Sequence, residues 1–202
     1  MKRPSALLFD LGNVCLPFDH GRMVRQLADL FGVPAADVQA AFLDSDMLLD
    51  IECGRVSDDA LHRSLCETFG REVSADDLFH AASDIFTPDP AMDDLLARLS
   101  QTDLPLVLVS NTSGPHVDFV RREYDILDHF DRLILSYEVK AAKPDPAFYK
   151  AAFAAAGCGR ADCFYTDDRA DLVEAAAALG VDAVLFESAS QTESALRSRG
   201  VL

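Results

Sequence analysis

The sequence has few positively charged residues and no long apolar stretch. Its 202 residues include 18 lysines and arginines against 34 aspartates and glutamates, which gives a formal net charge of −16 at pH 7. A surface with this charge repels nucleic-acid phosphates and anionic membranes at long range. No stretch approaches the roughly 20 apolar residues that span a bilayer, and the apolar run after Lys2 and Arg3 is too short for a signal peptide. We therefore expect a cytoplasmic protein that binds neither nucleic acid nor membranes.

Cysteines with metal-ligand or redox spacing are also missing. The five cysteines are odd in number, and none belongs to a CxxC or CxC motif. This pattern argues against a disulfide framework and against a zinc site. We expect free thiols.

Half of the residues are hydrophobic, and many of them lie in short runs that are typical of buried strands. Five runs show no strict alternation, as expected for parallel strands covered by helices on both faces. They are residues 6–9, 105–109, 132–136, 163–166 and 182–186. Helical patterns at 90–101, 146–157 and 169–180 alternate with these runs. The alternation predicts an α/β fold with a doubly wound, mainly parallel, Rossmann-like sheet flanked by helices.

One long segment interrupts the alternation. Residues 16–87 contain helical patterns and no convincing strand, with Gly32 as a helix stop and Ser57 and Ser74 as helix N-caps. We expect these residues to form a helical cap inserted after the first strand. The catalytic core would then comprise residues 1–15 and 88–202.

Polar residues follow four of the predicted strands. In an open parallel sheet, ligands bind beyond the carboxyl ends of the strands, so these residues are candidates for one site. They are Asp10, the segment Ser110–Asn111–Thr112, Lys143 and the pair Asp167–Asp168. Each alone is a common cap or turn residue, but their convergence on one edge is difficult to attribute to capping.

This set of residues suits phosphoryl transfer. A carboxylate can attack a phosphoryl group and form an aspartyl phosphate. The reaction needs Mg²⁺ held by carboxylates, a hydroxyl for the phosphoryl oxygens and a lysine that offsets negative charge. Asp10, the pair Asp167–Asp168, Ser110 and Lys143 match these needs.

Four segments resemble, in order, the four motifs of the haloacid dehalogenase-like (HAD) hydrolases. The segments are LLFDLGNV, LVLVSNTS, KAAKPDPAFY and CFYTDDRADLVEAAAALG. The long helical insertion resembles the subfamily with a helical cap at that place. The form FDLGNV resembles a branch that includes sugar-1-phosphate phosphatases, although fold and branch do not fix a substrate.

The resemblance implies a role for each matching residue. Asp10 would be the nucleophile, and Ser110 and the backbone around Asn111 would bind the phosphoryl oxygens. Lys143 would stabilise Asp10 and the phosphoryl group. Mg²⁺ would be held by Asp10, the backbone carbonyl of Gly12, Asp168 and, through water, Asp167; Asp171 would instead cap a helix or orient a neighbour. The implied substrate is a small phosphorylated metabolite, with sugar phosphates as candidates, and the implied state is a monomer or a homodimer.

The resemblance fails at Gly12, where many family phosphatases carry a second aspartate that acts as general acid and base. A well-placed proton donor typically contributes about 10²–10⁴-fold to the rate. Three interpretations stay open. In the first, the leaving group needs little protonation, as is the case for the relatively acidic anomeric hydroxyl of a sugar. In the second, another residue transfers the proton, with Asp19, His20 and His116 as candidates. In the third, the protein binds a ligand without catalysing a reaction.

Two further residues are candidates for contact with the substrate. His116 follows Ser110 by six residues, at the start of a helix, and either reaches the mouth of the site or lies exposed. Arg55, near Glu52 and the Gly54 turn of the cap, either binds a substrate hydroxyl or carboxylate or lies on the surface.

Two other functions compete with the phosphatase. In a metal-independent 2-haloacid dehalogenase, Asp10 would attack carbon and halide would leave without an acid. That chemistry gives the pair Asp167–Asp168 no purpose, since adjacent carboxylates without a cation repel each other. The other alternative is a non-catalytic binding protein with the HAD fold.

Overall fold

A computed structural model describes residues 2–43 and 46–202 of the chain. Within them, five parallel strands form one sheet in the order β3-β2-β1-β4-β5. The strands are β1 (Ala6–Phe9), β2 (Leu106–Ser110), β3 (Arg132–Leu135), β4 (Cys163–Asp167) and β5 (Asp182–Leu185). All five predicted strands are therefore confirmed, as is the α/β fold with a doubly wound parallel sheet.

Helices connect the strands and account for most of the remaining chain. They are α1 (His20–Phe31), α2 (Ala35–Phe42), α3 (Met47–Glu52), α4 (Asp58–Phe69), α5 (Ala75–Ser83), α6 (Pro90–Leu99), α7 (Gly114–Glu123), α8 (Ser136–Val139), α9 (Pro146–Ala156), α10 (Ala170–Ala178) and α11 (Ala189–Arg197). Short 3₁₀ turns occur at Ile126–His129 and Arg160–Asp162. The helices α1 to α5 all lie in the segment predicted to be helical, and its status as a separate cap stays a prediction.

The central strand explains why the apolar runs do not alternate. All four residues of β1 are buried, because β2 and β4 pair with it on either side and helices cover both faces. Leu7 and Phe9 belong to the apolar core on one face, and Ala6 and Leu8 to the core on the other. The outer strand β3 is less buried than β1.

Local signals place several helix ends. The side chains of Ser57 and Ser74 accept hydrogen bonds from backbone N–H groups three residues later, which confirms both as N-caps. Gly32 ends α1 in the left-handed conformation that favours glycine. The predicted strand 132–136 is one residue too long, because Ser136 begins α8 and its hydroxyl exchanges hydrogen bonds with the backbone of Thr112.

Candidate active site

Three neighbouring strands deliver polar residues to one edge of the sheet. Asp10 directly follows β1, Ser110 is the last residue of β2, and Asp167 is the last residue of β4. Since β1 lies between β2 and β4 and all three run parallel, these residues lie at a shared edge. The structure thus brings the predicted residues together.

Lys143 links two of the carboxylates. Its Nζ lies 2.7 Å from Asp10 Oδ1 and 2.7 Å from Asp167 Oδ2, and only 1% of the lysine side chain is exposed. Burial alone would lower the pKa of Lys143, but the two carboxylates raise it above its ordinary value. The lysine is therefore a charged, fixed bridge between β1 and β4.

Asn111 sets the position of that lysine. Its side-chain Nδ2 donates to the backbone oxygen of Lys143 at 3.0 Å, and its Oδ1 accepts from the backbone N–H of Lys143 at 2.7 Å. The asparagine side chain is thereby committed to the protein backbone. Only the backbone of Asn111 remains to serve the predicted phosphate contact.

Asp10 is buried close to other acidic groups. Burial raises its pKa to about 7; Lys143 opposes this shift, and Asp167 adds to it. A positive charge beside Asp10 in addition to Lys143 would restore its ionised, nucleophilic form.

Asp167 makes several hydrogen bonds and is fully buried. Its Oδ2 accepts from Lys143 and from the hydroxyl of Tyr165, and its Oδ1 accepts from the backbone N–H of Arg169 at 3.0 Å. Both carboxylate oxygens of Asp167 already accept hydrogen bonds, which fits its predicted role of contacting the metal ion through a water molecule. Tyr165 was not among the predicted site residues, although a tyrosine two residues before Asp167 on a buried strand faces the same side and needs a partner for its hydroxyl.

Asp168 is held by Asn13. Its Oδ2 accepts from Asn13 Nδ2 at 3.0 Å, and burial raises the pKa of its carboxyl. Asn13 adopts a left-handed backbone conformation (φ 55°) and accepts from the backbone N–H of Phe18. Asn13 was missed as well, although asparagine is among the few residue types that tolerate this conformation.

The three carboxylates suit a hard divalent cation. One oxygen each from Asp10, Asp167 and Asp168 lies within 4.8 Å of the others. Oxygen donors are the ligands that Mg²⁺ prefers. Burial is the main cause of the raised pKa values of Asp10 and Asp168, and the nearby Asp167 adds to both, so a cation at this position would favour the ionised forms. Asp171 lies outside this cluster: it sits in the first turn of α10 and pairs with Arg169 at 2.7 Å, whereas the N-cap of that helix is Arg169.

Two adjoining cavities lie at this edge of the sheet, and Asp10 and Asp168 line one of them. The Asp10 cavity is lined by Asp10, Lys143, Asp168 and Arg169, among others, and the Ser110 cavity by Ser110, Thr112 and His116, among others. They share a wall formed by Gly12, Phe18, His20, Glu52 and Asn111. The Ser110 side chain is 1% exposed, and its hydroxyl makes one long hydrogen bond of 3.4 Å to the backbone of Asn111, so the hydroxyl is available to a ligand.

The predicted proton donors differ in their surroundings. Asp19 is exposed and pairs with Arg25 at 3.1 Å, outside both cavities. Burial lowers the pKa of His116 to about 4 and also lowers that of His20, so both rings are neutral at pH 7. His116 Nε2 lies 3.3 Å from the backbone oxygen of Ala82, which ties the start of α7 to α5.

Of Arg55 and Glu52, only Glu52 lines the cavities. Arg55 is exposed, pairs with Asp50 at 2.9 Å and lines neither cavity, so the structure does not place it at the site. Glu52, at the end of α3, lines both cavities and has no hydrogen-bond or ion-pair partner among the described residues. Burial raises the pKa of Glu52, and the charges of Arg169 and Lys143 oppose that shift.

The family model of the haloacid dehalogenase-like hydrolases matches residues 4–180. The chain belongs to this family. It is therefore a hydrolase, as the four motifs implied. No helix in residues 2–43 and 46–202 of the hydrolase is long and apolar enough to cross a membrane.

Two proteins of similar sequence are phosphatases. Phosphatase MT3486 of Mycobacterium tuberculosis is 27% identical over 198 residues, which cover 93% of this hydrolase and 89% of that protein. The sesquiterpene phosphatase astK of Aspergillus oryzae is 23% identical over 186 residues, which cover 88% and 87%.

A solved structure shares the whole architecture. The HAD family enzyme bt-2542 of Bacteroides thetaiotaomicron is 26% identical, with a TM-score of 0.84 over 97% of this hydrolase and 99% of that chain. The same enzyme has been solved in complex with magnesium and inorganic phosphate, and this complex matches with a TM-score of 0.80.

Proposed function

We propose that this hydrolase is a Mg²⁺-dependent phosphatase that cleaves a small phosphorylated metabolite through an aspartyl phosphate on Asp10. The observation that carries the proposal is the contact of Lys143 with both Asp10 and Asp167, beside Asp168, at one edge of the sheet. Two phosphatases of similar sequence, and a similar enzyme that binds magnesium and phosphate, support it. Asp10, Asp168 and, through water, Asp167 would hold Mg²⁺, which neutralises charge on the phosphoryl oxygens.

Asp10 is set up as the nucleophile. Its Oδ1 is held by Lys143, which leaves Oδ2 to attack phosphorus. The new bond from Asp10 to phosphorus forms as the ester P–O bond breaks, and Ser110 and Lys143 bind the phosphoryl oxygens. Water then hydrolyses the aspartyl phosphate, which releases inorganic phosphate and regenerates the carboxylate.

Glu52 is the group that we assign to proton transfer. In-line displacement drives the leaving oxygen away from Asp10, towards the opposite wall of the cavity. Glu52 lines that cavity, its raised pKa favours the protonated form, and its carboxyl has no competing partner among the described residues. The neutral rings of His20 and His116 have no proton to release as a cationic acid at pH 7.

The metal-independent dehalogenase is the weaker interpretation. The L-2-haloacid dehalogenase of Xanthobacter autotrophicus is 19% identical with a TM-score of 0.62, which shows a shared fold alone. Three clustered carboxylates have no task in a reaction without a cation. A substrate from the sugar-1-phosphate branch stays a prediction.

A phosphate-ester panel tests the proposal. We expect the purified protein to release phosphate with Mg²⁺ and to lose this activity in EDTA or as the Asp10→Asn variant. The panel places anomeric sugar phosphates beside primary alkyl and sugar phosphates. Activity that survived the chelator would overturn the Mg²⁺ requirement, and folded, Mg²⁺-loaded protein without any turnover would favour the non-catalytic binding protein.

A further inference from the structure

Two cysteine sulfurs lie in contact at the end of β4 that is remote from the candidate active site. Cys158 Sγ lies 3.3 Å from Cys163 Sγ, and the thiol of Cys163 also donates to the backbone oxygen of Gly159 at 3.6 Å. Both cysteines are free thiols in the structure. Cys163 is the first residue of β4 and Asp167 is the last, so about 13 Å of strand separates the thiols from the carboxylates. The pair therefore takes no part in the phosphatase chemistry proposed above.

The two thiols differ in their access to solvent. Cys163 is fully buried, whereas Cys158 is partly exposed. The three other cysteines, Cys15, Cys53 and Cys66, are buried like Cys163. Burial raises the pKa of the Cys163 thiol, and its contact with Cys158 raises it further. A thiol reagent in solution therefore meets Cys158 first.

The loop that carries Cys158 has room to adjust. It joins α9 to the 3₁₀ turn Arg160–Asp162, and a glycine lies on either side of the cysteine. Gly157 ends α9 in the left-handed conformation (φ 68°), and a β-carbon added to it would meet no atom within 4 Å. Because a disulfide holds its sulfurs about 2.05 Å apart, the two thiols need to approach by about 1.2 Å. A short glycine-flanked loop can supply a shift of this size.

We propose that Cys158 and Cys163 are a site of reversible oxidation, at which a low-molecular-weight disulfide converts the two thiols into an intramolecular disulfide. The Cys158 thiolate attacks one sulfur of the oxidant, whose other half leaves as a thiolate, and a mixed disulfide forms on Cys158. The sulfur of Cys163 then attacks the sulfur of Cys158 and releases the second half of the oxidant. Two electrons and two protons thus pass from the protein thiols to the oxidant, which becomes two small thiols.

The contact between the sulfurs is what makes the second step fast. A raised pKa makes Cys163 a poor nucleophile towards a reagent in solution, but its target sulfur is already beside it, and intramolecular attack has a high effective concentration. The mixed disulfide on Cys158 is consequently short-lived. The intramolecular disulfide keeps the accessible thiol of Cys158 from irreversible oxidation until a reducing thiol restores it.

The test uses oxidised glutathione as the probe. The reduced protein is incubated with it, the remaining thiols are alkylated under denaturing conditions, and the unreduced tryptic peptides are mapped by mass spectrometry. Trypsin cleaves after Arg160, between the two cysteines, so the disulfide appears as two joined peptides. We expect two of the five thiols to be lost, this joined pair to form, and dithiothreitol to restore both thiols. Wild-type protein that kept all five thiols, joined another pair of cysteines or retained glutathione on Cys158 would overturn the proposal.

Three variants assign the order of the steps. Cys163→Ala should retain glutathione on Cys158 as a stable adduct, and Cys158→Ala should not react at the buried Cys163. Cys66→Ala makes the same change at another buried cysteine and serves as the matched control, which should form the disulfide as the wild type does. An adduct that left Cys163→Ala as fast as it leaves the wild type would overturn the role of Cys163. Glutathione on Cys163 in the Cys158→Ala variant would overturn the assignment of Cys158 as the first thiol to react.

Discussion

A β-carbon added at Gly12 would lie 2.6 Å from Cε1 of Phe18. The Phe18 ring therefore occupies the space in which a side chain at position 12 would begin. That ring packs edge-on against His20, with ring centroids 4.7 Å apart, and tilts against Phe86. The packing of this wall therefore leaves no room for the side chain of a second aspartate at position 12.

Restoring the aspartate should consequently require a second change. We expect Gly12→Asp to displace the Phe18 ring and to lower both thermal stability and kcat. The double variant Gly12→Asp/Phe18→Ala should recover much of the loss in kcat, measured as phosphate release. If the single variant kept its stability and gained activity, the packing explanation would be wrong.

Glu52→Gln tests the proton donor. With alkyl phosphates, whose alcohol must be protonated as it leaves, we expect kcat to fall about 10²-fold. With an aryl phosphate, which leaves without a proton, the loss should be small. The alkaline limb of the pH profile for alkyl phosphates should disappear in the variant.

The control for this prediction is Glu67→Gln, the same change at an exposed position of α4. It should leave both activities unchanged. Equal losses with alkyl and aryl phosphates in Glu52→Gln would assign Glu52 to binding and leave the proton donor unidentified.

Lys143→Met removes the bridge between two buried carboxylates. Since breaking a buried ion pair leaves uncompensated charge, we expect the free energy of unfolding to fall by about 3–5 kcal/mol in metal-free protein at pH 7.5. Urea denaturation measures the change. Lys150→Met on the exposed face of α9 is the matched control and should shift stability by less than about 0.5 kcal/mol. Similar losses in both variants would argue against the bridge.

The raised pKa of Asp10 predicts that the stability of the folded protein falls as the pH rises. Its ordinary pKa of 3.8 applies to the unfolded chain, and burial raises it to about 7 in the folded protein. The folded state therefore holds this proton more tightly, so ionisation lowers stability as the pH rises from about 4 to about 7. The lost stability is at most about 4 kcal/mol.

Comparison with Asp10→Asn isolates this titration. In metal-free protein, the unfolding free energy of the wild type minus that of the variant should decrease across this pH window and level off above it. Saturating Mg²⁺ should remove most of the decrease, because the cation stabilises the ionised carboxylate. Parallel stability curves without metal would contradict the assignment.

The sequence predicted the fold well because its signals were local and repeated. Five unbroken apolar runs specified buried parallel strands, and Ser57, Ser74 and Gly32 specified helix ends through their own backbone contacts. The residues at the strand ends converged because β2, β1 and β4 are neighbours in the sheet. The helix α11 carried no comparable signal among its small polar residues and was not predicted.

The features of the site that depend on long-range packing were harder to predict from the sequence. The sequence left open whether Arg55 contacts the substrate or lies on the surface, and in the structure it pairs with Asp50 and lines neither cavity. The position of Glu52 depends on how α3 packs over the sheet, and the reason for Gly12 lies in the ring of Phe18. No spacing in the sequence reports either relationship.

The paired hydrogen bonds of Asn111 have a mechanical consequence. They fasten the backbone of Lys143 to the residue that follows Ser110, so the lysine takes its position from the end of β2 although it belongs to a loop after β3. Hydroxyl and ammonium are therefore parts of one rigid body, with a separation that does not depend on the conformation of the intervening chain. Sequence changes at the exposed positions between residues 114 and 140 should therefore leave unchanged the distance between the two groups that would contact the phosphoryl oxygens.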